Sequence, residues 1–166
     1  TAAELIASGL STGNITSIGF NVSSGTTFSP LPGYQISMKS SAATVFATTS
    51  YETGMSVVYG PLTYTPVLGA NTHVLDVPFN WDGTSSIIIE VCNPPVSPLG
   101  TSLNVSLEAI GVNRMIQTTN AAGCATATGT LSANRPVMSF GGIIGTNLTG
   151  VLNWVWNPGA LPGNGI

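Results

Sequence analysis

The side chain best suited to acid–base chemistry is His73, the single imidazole of the chain. A Ser-His-acid relay would use it as general base between a nucleophile and an orienting carboxylate. It sits inside Thr72-His73-Val74-Leu75-Asp76-Val77, whose alternation reads as a strand. The reading favoured there is a strand histidine satisfied by neighbouring hydroxyls. Glycoside hydrolysis would need two facing carboxylates, and Glu4, Glu52, Asp76, Asp82, Glu90 and Glu108 show no spacing that singles out a pair. No catalytic residue is assigned, and the chain is expected not to be an enzyme.

Three other chemistries have candidates. Asp82, in Trp81-Asp82-Gly83-Thr84, could donate a carboxylate to calcium, the one cofactor considered. The competing reading is an Asp-Gly turn held by the aspartate side chain. Trp81, Tyr51, Tyr59 and Tyr64 could line a sugar-binding face, although a tryptophan beside a strand end more often closes a core. Cys92 and Cys124 fit a disulfide in an oxidising compartment, closing a loop worth roughly 3 to 4 kcal/mol. The alternatives are two buried thiols or, with one imidazole available, a metal site.

A chain of 166 residues fits one ordinary domain with a core of its own. Charged residues are only 5%, against roughly 25% in ordinary proteins, so Ser, Thr, Asn, Gly and Gln must cover the surface. Alternating Val, Ile, Tyr and Phe argue against disorder. Lys39, Arg114 and Arg135 are the only cations, too few to track phosphates, so no nucleic-acid partner is expected. No apolar run approaches the roughly 20 residues of a membrane span, so no membrane insertion is expected. The start at Thr1 shows no leader pattern and reads as a mature product or an excised piece. Sequons at Asn14, Asn21, Asn104 and Asn147 are unremarkable in so Ser/Thr-rich a chain.

The elements that must position these residues are mostly strands. Ala2 to Ala7 reads as a short helical turn stopped by Gly9. Ile18, Phe20 and Val22 then share a face, as do Tyr34, Ile36 and Met38, after a Ser/Gly/Pro turn cluster. Strand patterns follow at Thr44 to Ala47, Met55 to Tyr59, His73 to Phe79, Ile87 to Cys92, Leu103 to Ala109, Val112 to Gln117 and Arg135 to Phe140. Ile87 to Cys92 is apolar on both faces and reads as a central strand. About nine short strands predict an all-β, antiparallel two-sheet sandwich of jelly-roll type. The sandwich is placed over residues 1–140. Residues 141–166 form a Gly-rich connection and an apolar terminal strand, with Val151, Leu152, Trp154, Val155 and Trp156 as candidates for an assembly strand.

The segments ITSIGFNV (Ile15 to Val22), YQISM (Tyr34 to Met38), Val58-Tyr59, TYTP (Thr63 to Pro66), FNWDG (Phe79 to Gly83), SIIIEVC (Ser86 to Cys92) and NRPVMSF (Asn134 to Phe140), taken in order, are informative together. They resemble a β-sandwich domain of large secreted surface and adhesin-like proteins of Bacteroidetes, exported by the type IX pathway. The resemblance spans roughly Thr1 to Phe140, and NWVWNPGALPGNGI (Asn153 to Ile166) looks like the start of an immunoglobulin- or PKD-like repeat. It implies an extracellular, cell-surface location and carries no catalytic residues. The chain departs from the pattern after Cys92, where Pro94, Pro95 and Pro98 replace the family's polar and aromatic residues.

Three functions follow as expectations. The first is a structural or adhesive module of a bacterial surface protein. The second is a carbohydrate-binding accessory module for surface glycans. The third is a filament subunit whose segment Val151 to Trp156 completes the sheet of another copy. Its partners would be further copies or neighbouring modules of the same protein.

Overall fold

The computed structural model describes residues 1–26, 28–94, 103–118, 124 and 127–142. The fold is all-β and sandwich-like, with antiparallel sheets and one short N-terminal helix. Helix α1 (Ala2–Ala7) opens the chain, and the Thr1 amino group and hydroxyl donate to Glu4 Oε2 at 2.8 and 2.6 Å. It ends where Gly9 takes a φ of +92°, letting the Leu10 amide reach back to the Leu5 carbonyl at 2.9 Å.

The strands are β1 (Gly13–Gly25), β2 (Leu31–Ser41), β3 (Ser56–Tyr64), β4 (Gly69–Trp81), β5 (Ser86–Cys92), β6 (Leu103–Val105), β7 (Leu107–Ala109), β8 (Met115–Gln117), β9 (Thr130–Ser132), β10 (Asn134–Pro136) and β11 (Met138–Gly142). One sheet has the order β11-β1-β4, with β6 also pairing β1, and a second has the order β3-β2-β5. Two small ladders, β10-β7 and β8-β9, extend the array. Ile15, Ile18, Tyr34, Ile36, Met38, Val58, Leu75 and Trp81 meet between the sheets, and Leu5 of α1 joins them.

Several expected boundaries shift for local reasons. Thr44 to Ala47 is not a strand. The Phe46 amide there bonds the Asn113 carbonyl at 2.8 Å, outside any ladder. Leu103 to Ala109 divides at Ser106 and Asn134 to Gly142 divides at Val137. At that crossing the Val137 amide bonds the Ser106 carbonyl instead of continuing either ladder. Val112 to Gln117 shrinks to β8, and β9 was not expected. The last strand runs on to Gly142 because Gly141 and Gly142 pair with Ser17 and Ile15, where a Cβ would strike Ser17 or Asn14. β5 pairs with β2 alone among the described residues, so it lies at a sheet edge and not at the centre. On β4, alternation buries Asn71, His73 and Leu75, but the register slips between Ile15 and Ser17 of β1, and Val77 points outward before Trp81 returns to the core.

Gly60 of β3 illustrates how tightly one edge is set. Its φ is +75°, its amide donates to Asp76 Oδ2 at 2.8 Å, and a Cβ would collide with the Tyr34 carbonyl oxygen. Gly60→Ala is expected to cost about 2 kcal/mol, read as a lowered urea midpoint. An unchanged midpoint would mean this crossing is loose.

Candidate functional site

His73 stands between the two sheets. β4 turns it inward, β2 brings Tyr34, β3 brings Tyr59 and Tyr64, and β1 brings Phe20. The His73 ring centroid lies 5.3 Å from Tyr34, 4.9 Å from Tyr59, 4.6 Å from Tyr64 and 6.1 Å from Phe20. Its Nε2 shares a hydrogen bond with the Tyr34 hydroxyl at 3.3 Å, and its Nδ1 is buried without a partner. Burial pushes the imidazole pKa down and those of Tyr34, Tyr59 and Tyr64 up. A buried neutral ring bonded to a phenol, with no carboxylate oriented on it, has the environment of a core histidine. Beside it Asn71 is fully satisfied. Its Oδ1 accepts from the Tyr64 hydroxyl at 2.7 Å and the Val67 amide at 2.9 Å, and its Nδ2 donates to the Val67 and Gly69 carbonyls.

Tyr59 and Tyr64 therefore face this cluster and are half-buried. Trp81 does not lie on a ligand-facing surface either. It is fully buried, and its Nε1 donates to the Ser85 carbonyl at 2.8 Å, which makes it the lid of the core at the end of β4. Asp82 serves the turn that follows. Oδ1 accepts from the Thr84 and Ser85 amides, both at 2.7 Å, and Oδ2 from the Ser85 hydroxyl at 2.6 Å. The Ser85 hydroxyl and these amides hold its carboxyl well below the usual range. Gly83 completes the turn with a φ of +80°. Among the described residues no group of three or more His, Cys, Asp or Glu side chains is placed to hold a metal ion.

Tyr51 is the one candidate ring that borders open space. It lines a cleft of about 870 Å³ between the sheets, together with Phe20, Ile87, Ile89, Glu90 and Phe140. Burial, then the charge of Glu90, raises the Tyr51 pKa, and burial raises that of Glu90.

At the cleft wall lies a network that sequence reasoning missed. Arg114 Nη1 donates to Glu4 Oε1, Arg135 Nη1 lies 3.1 Å from Glu4 Oε2, and Arg135 Nε donates to Glu108 Oε1 at 2.6 Å. Burial pushes the Glu4 carboxyl up, but the Thr1 amino group, the Thr1 hydroxyl and the Arg135 charge outweigh it and bring the pKa to about 2. The third cation, Lys39, donates to Glu52 Oε2 and the Thr53 carbonyl, both at 2.9 Å. The available signal was scarcity, since a chain with three cations must spend them where they count.

A second overlooked feature is Gly9-Leu10-Ser11-Thr12-Gly13, which fits the letters of the GxSxG nucleophile motif. It joins helix α1 to strand β1, whereas a nucleophile elbow runs from strand to helix. Ser11 is exposed there, and His73 is bonded to Tyr34.

Cys92 and Cys124 form a disulfide across a sequence separation of 32, with Cα atoms 5.2 Å apart, tying the end of β5 to the later half of the chain. The candidate assembly residues Val151, Leu152, Trp154, Val155 and Trp156 lie outside the described residues. No helix among the described residues is long and apolar enough to cross a membrane. Comparison with protein-family models, curated proteins and solved structures returns no match.

Proposed function

We propose that this chain is a non-catalytic extracellular module, structural or adhesive, of a bacterial cell-surface protein. The observation that carries the reading is the internal use of nearly every reactive side chain. All three cations are paired with carboxylates, and Glu4, Glu52, Asp76, Asp82 and Glu108 each accept a hydrogen bond from this chain. His73 and Trp81 are buried in the core. A site that turns over a substrate needs such groups free and convergent, whereas a load-bearing sandwich uses them to hold its layers.

The disulfide supports an oxidising location, and the resemblance to type IX-exported surface domains supplies the setting. The carbohydrate-binding reading is weaker because Trp81, Tyr59 and Tyr64 turn inward, leaving Tyr51 alone beside the cleft. The strand-addition reading rests on residues outside those described.

An antibody raised against the folded chain tests the proposal on the producing bacterium. Intact cells are expected to label as strongly as permeabilised ones. Labelling only after permeabilisation would overturn it.

A further inference from the structure

We propose that His73 is an acid-sensitive latch between the two sheets, and that protonating its imidazole opens the seam where β3 lies against β4. This reaches beyond the proposed function and stands whether or not that reading holds.

β4 is an outer strand of one sheet and β3 an outer strand of the other. Among the described residues they share no ladder, so beyond the connection 65–68 that joins them it is side chains that hold them together. Val58 of β3 and Leu75 of β4 share the core cluster, and three polar or ring contacts add to that packing: the His73 ring among Tyr34, Tyr59 and Tyr64, the bond from the Tyr64 hydroxyl to Asn71, and the bond from the Gly60 amide to Asp76. Only the first contains a group that changes charge between about pH 5 and 8.

In its neutral form the imidazole suits the site. One nitrogen is paired with the Tyr34 hydroxyl and the other is buried without a hydrogen-bond partner among the described residues. Adding a proton makes both nitrogens donors, and Nδ1 then points a charged N–H where no acceptor waits, on a residue only 1% exposed. The tyrosine rings would offset part of this through cation–π attraction.

The groups facing the ring are few. They are the uncharged phenols of Tyr34 on β2 and of Tyr59 and Tyr64 on β3, and the unionisable Phe20 on β1. On β4 itself the nearest carboxylate in sequence, Asp76, is engaged by Gly60 and acts on Tyr59. Among the described residues no carboxylate is hydrogen-bonded to the imidazole. The folded pKa is lowered by burial, so the unfolded or opened form takes up the proton first. The latch is fully closed above the ordinary histidine value of about 6.5 and weakens as pH falls through it. Glu90, raised by burial, has the opposite sign and releases stability as pH rises, while Glu4, lowered to about 2, loses its contribution as pH falls from its ordinary value of 4.5 toward 2.

Amide hydrogen exchange on the full chain tests this at pH 7 and pH 5, with intrinsic rates corrected. Protection of β3 and β4 is expected to fall about tenfold at pH 5, while β11 and β5 keep theirs. His73→Phe is expected to remove the difference between the two pH values. Should that variant fail to fold, the imidazole resonances of the unaltered protein decide, and they are expected to titrate well below 6.5. Seam protection that does not change with pH, or an imidazole titrating at its ordinary value, would overturn the proposal.

Discussion

Replacing Trp81 by alanine is expected to remove about 3 to 5 kcal/mol of stability, the range for deleting a buried aromatic from a packed core. A domain of this size has roughly 5 to 15 kcal/mol in all, so the variant should lose a large share of its stability. The cost has two parts. The ring is fully buried at the point where β4 returns to the core after its irregularity, and its loss leaves a cavity in the core cluster it shares with Leu5 and Ile15. The indole N–H also satisfies the Ser85 carbonyl, which closes the turn built by Asp82. Trp81→Phe keeps most of the packing and strands that carbonyl, so it should cost less, about 1 to 3 kcal/mol. Urea titrations of the two variants separate the terms. A Trp81→Ala loss below about 1 kcal/mol would mean the ring is not the lid of the core.

The second large effect is expected from the disulfide. Removing it with the paired change Cys92→Ala and Cys124→Ala should cost about 3 to 4 kcal/mol, because the opened loop of 32 residues regains conformational freedom in the unfolded chain. Comparing the variant with the oxidised parent in urea should show a lower midpoint. Equal midpoints would mean that native strain cancels the gain.

The parts of this fold that were readable in the sequence are those with an unbroken period of two. Tyr34, Ile36 and Met38 share the buried face of β2 as their spacing requires, and the helical turn ends at Gly9 as a glycine stop should. Reading failed where pairing, not pattern, sets the backbone. Val77 continues the alternation of Leu75, yet the slipped register against β1 turns it outward. Gly141 and Gly142 looked like a linker because glycine carries no pattern, but they are the residues small enough to lie against Ser17 and Asn14.

The candidate site was legible only in part. The Asp-Gly turn and the Cys92–Cys124 pair follow from local chemistry and from oxidation of two cysteines. The gathering of Tyr34, Tyr59 and Tyr64 around His73 does not, since it depends on how two sheets stack. The Glu4, Arg114, Arg135 and Glu108 network is hidden for the same reason, with the arginine partners of Glu4 more than a hundred positions away along the chain.

The proposed extracellular role is tested most directly by the oxidation state of Cys92 and Cys124 in protein recovered from its own cells. Thiols would be trapped with an alkylating reagent at the moment of lysis and the peptides read by mass spectrometry. The account predicts that the two cysteines are joined and unalkylated in the bulk of the protein. Recovery of both as alkylated free thiols would contradict it.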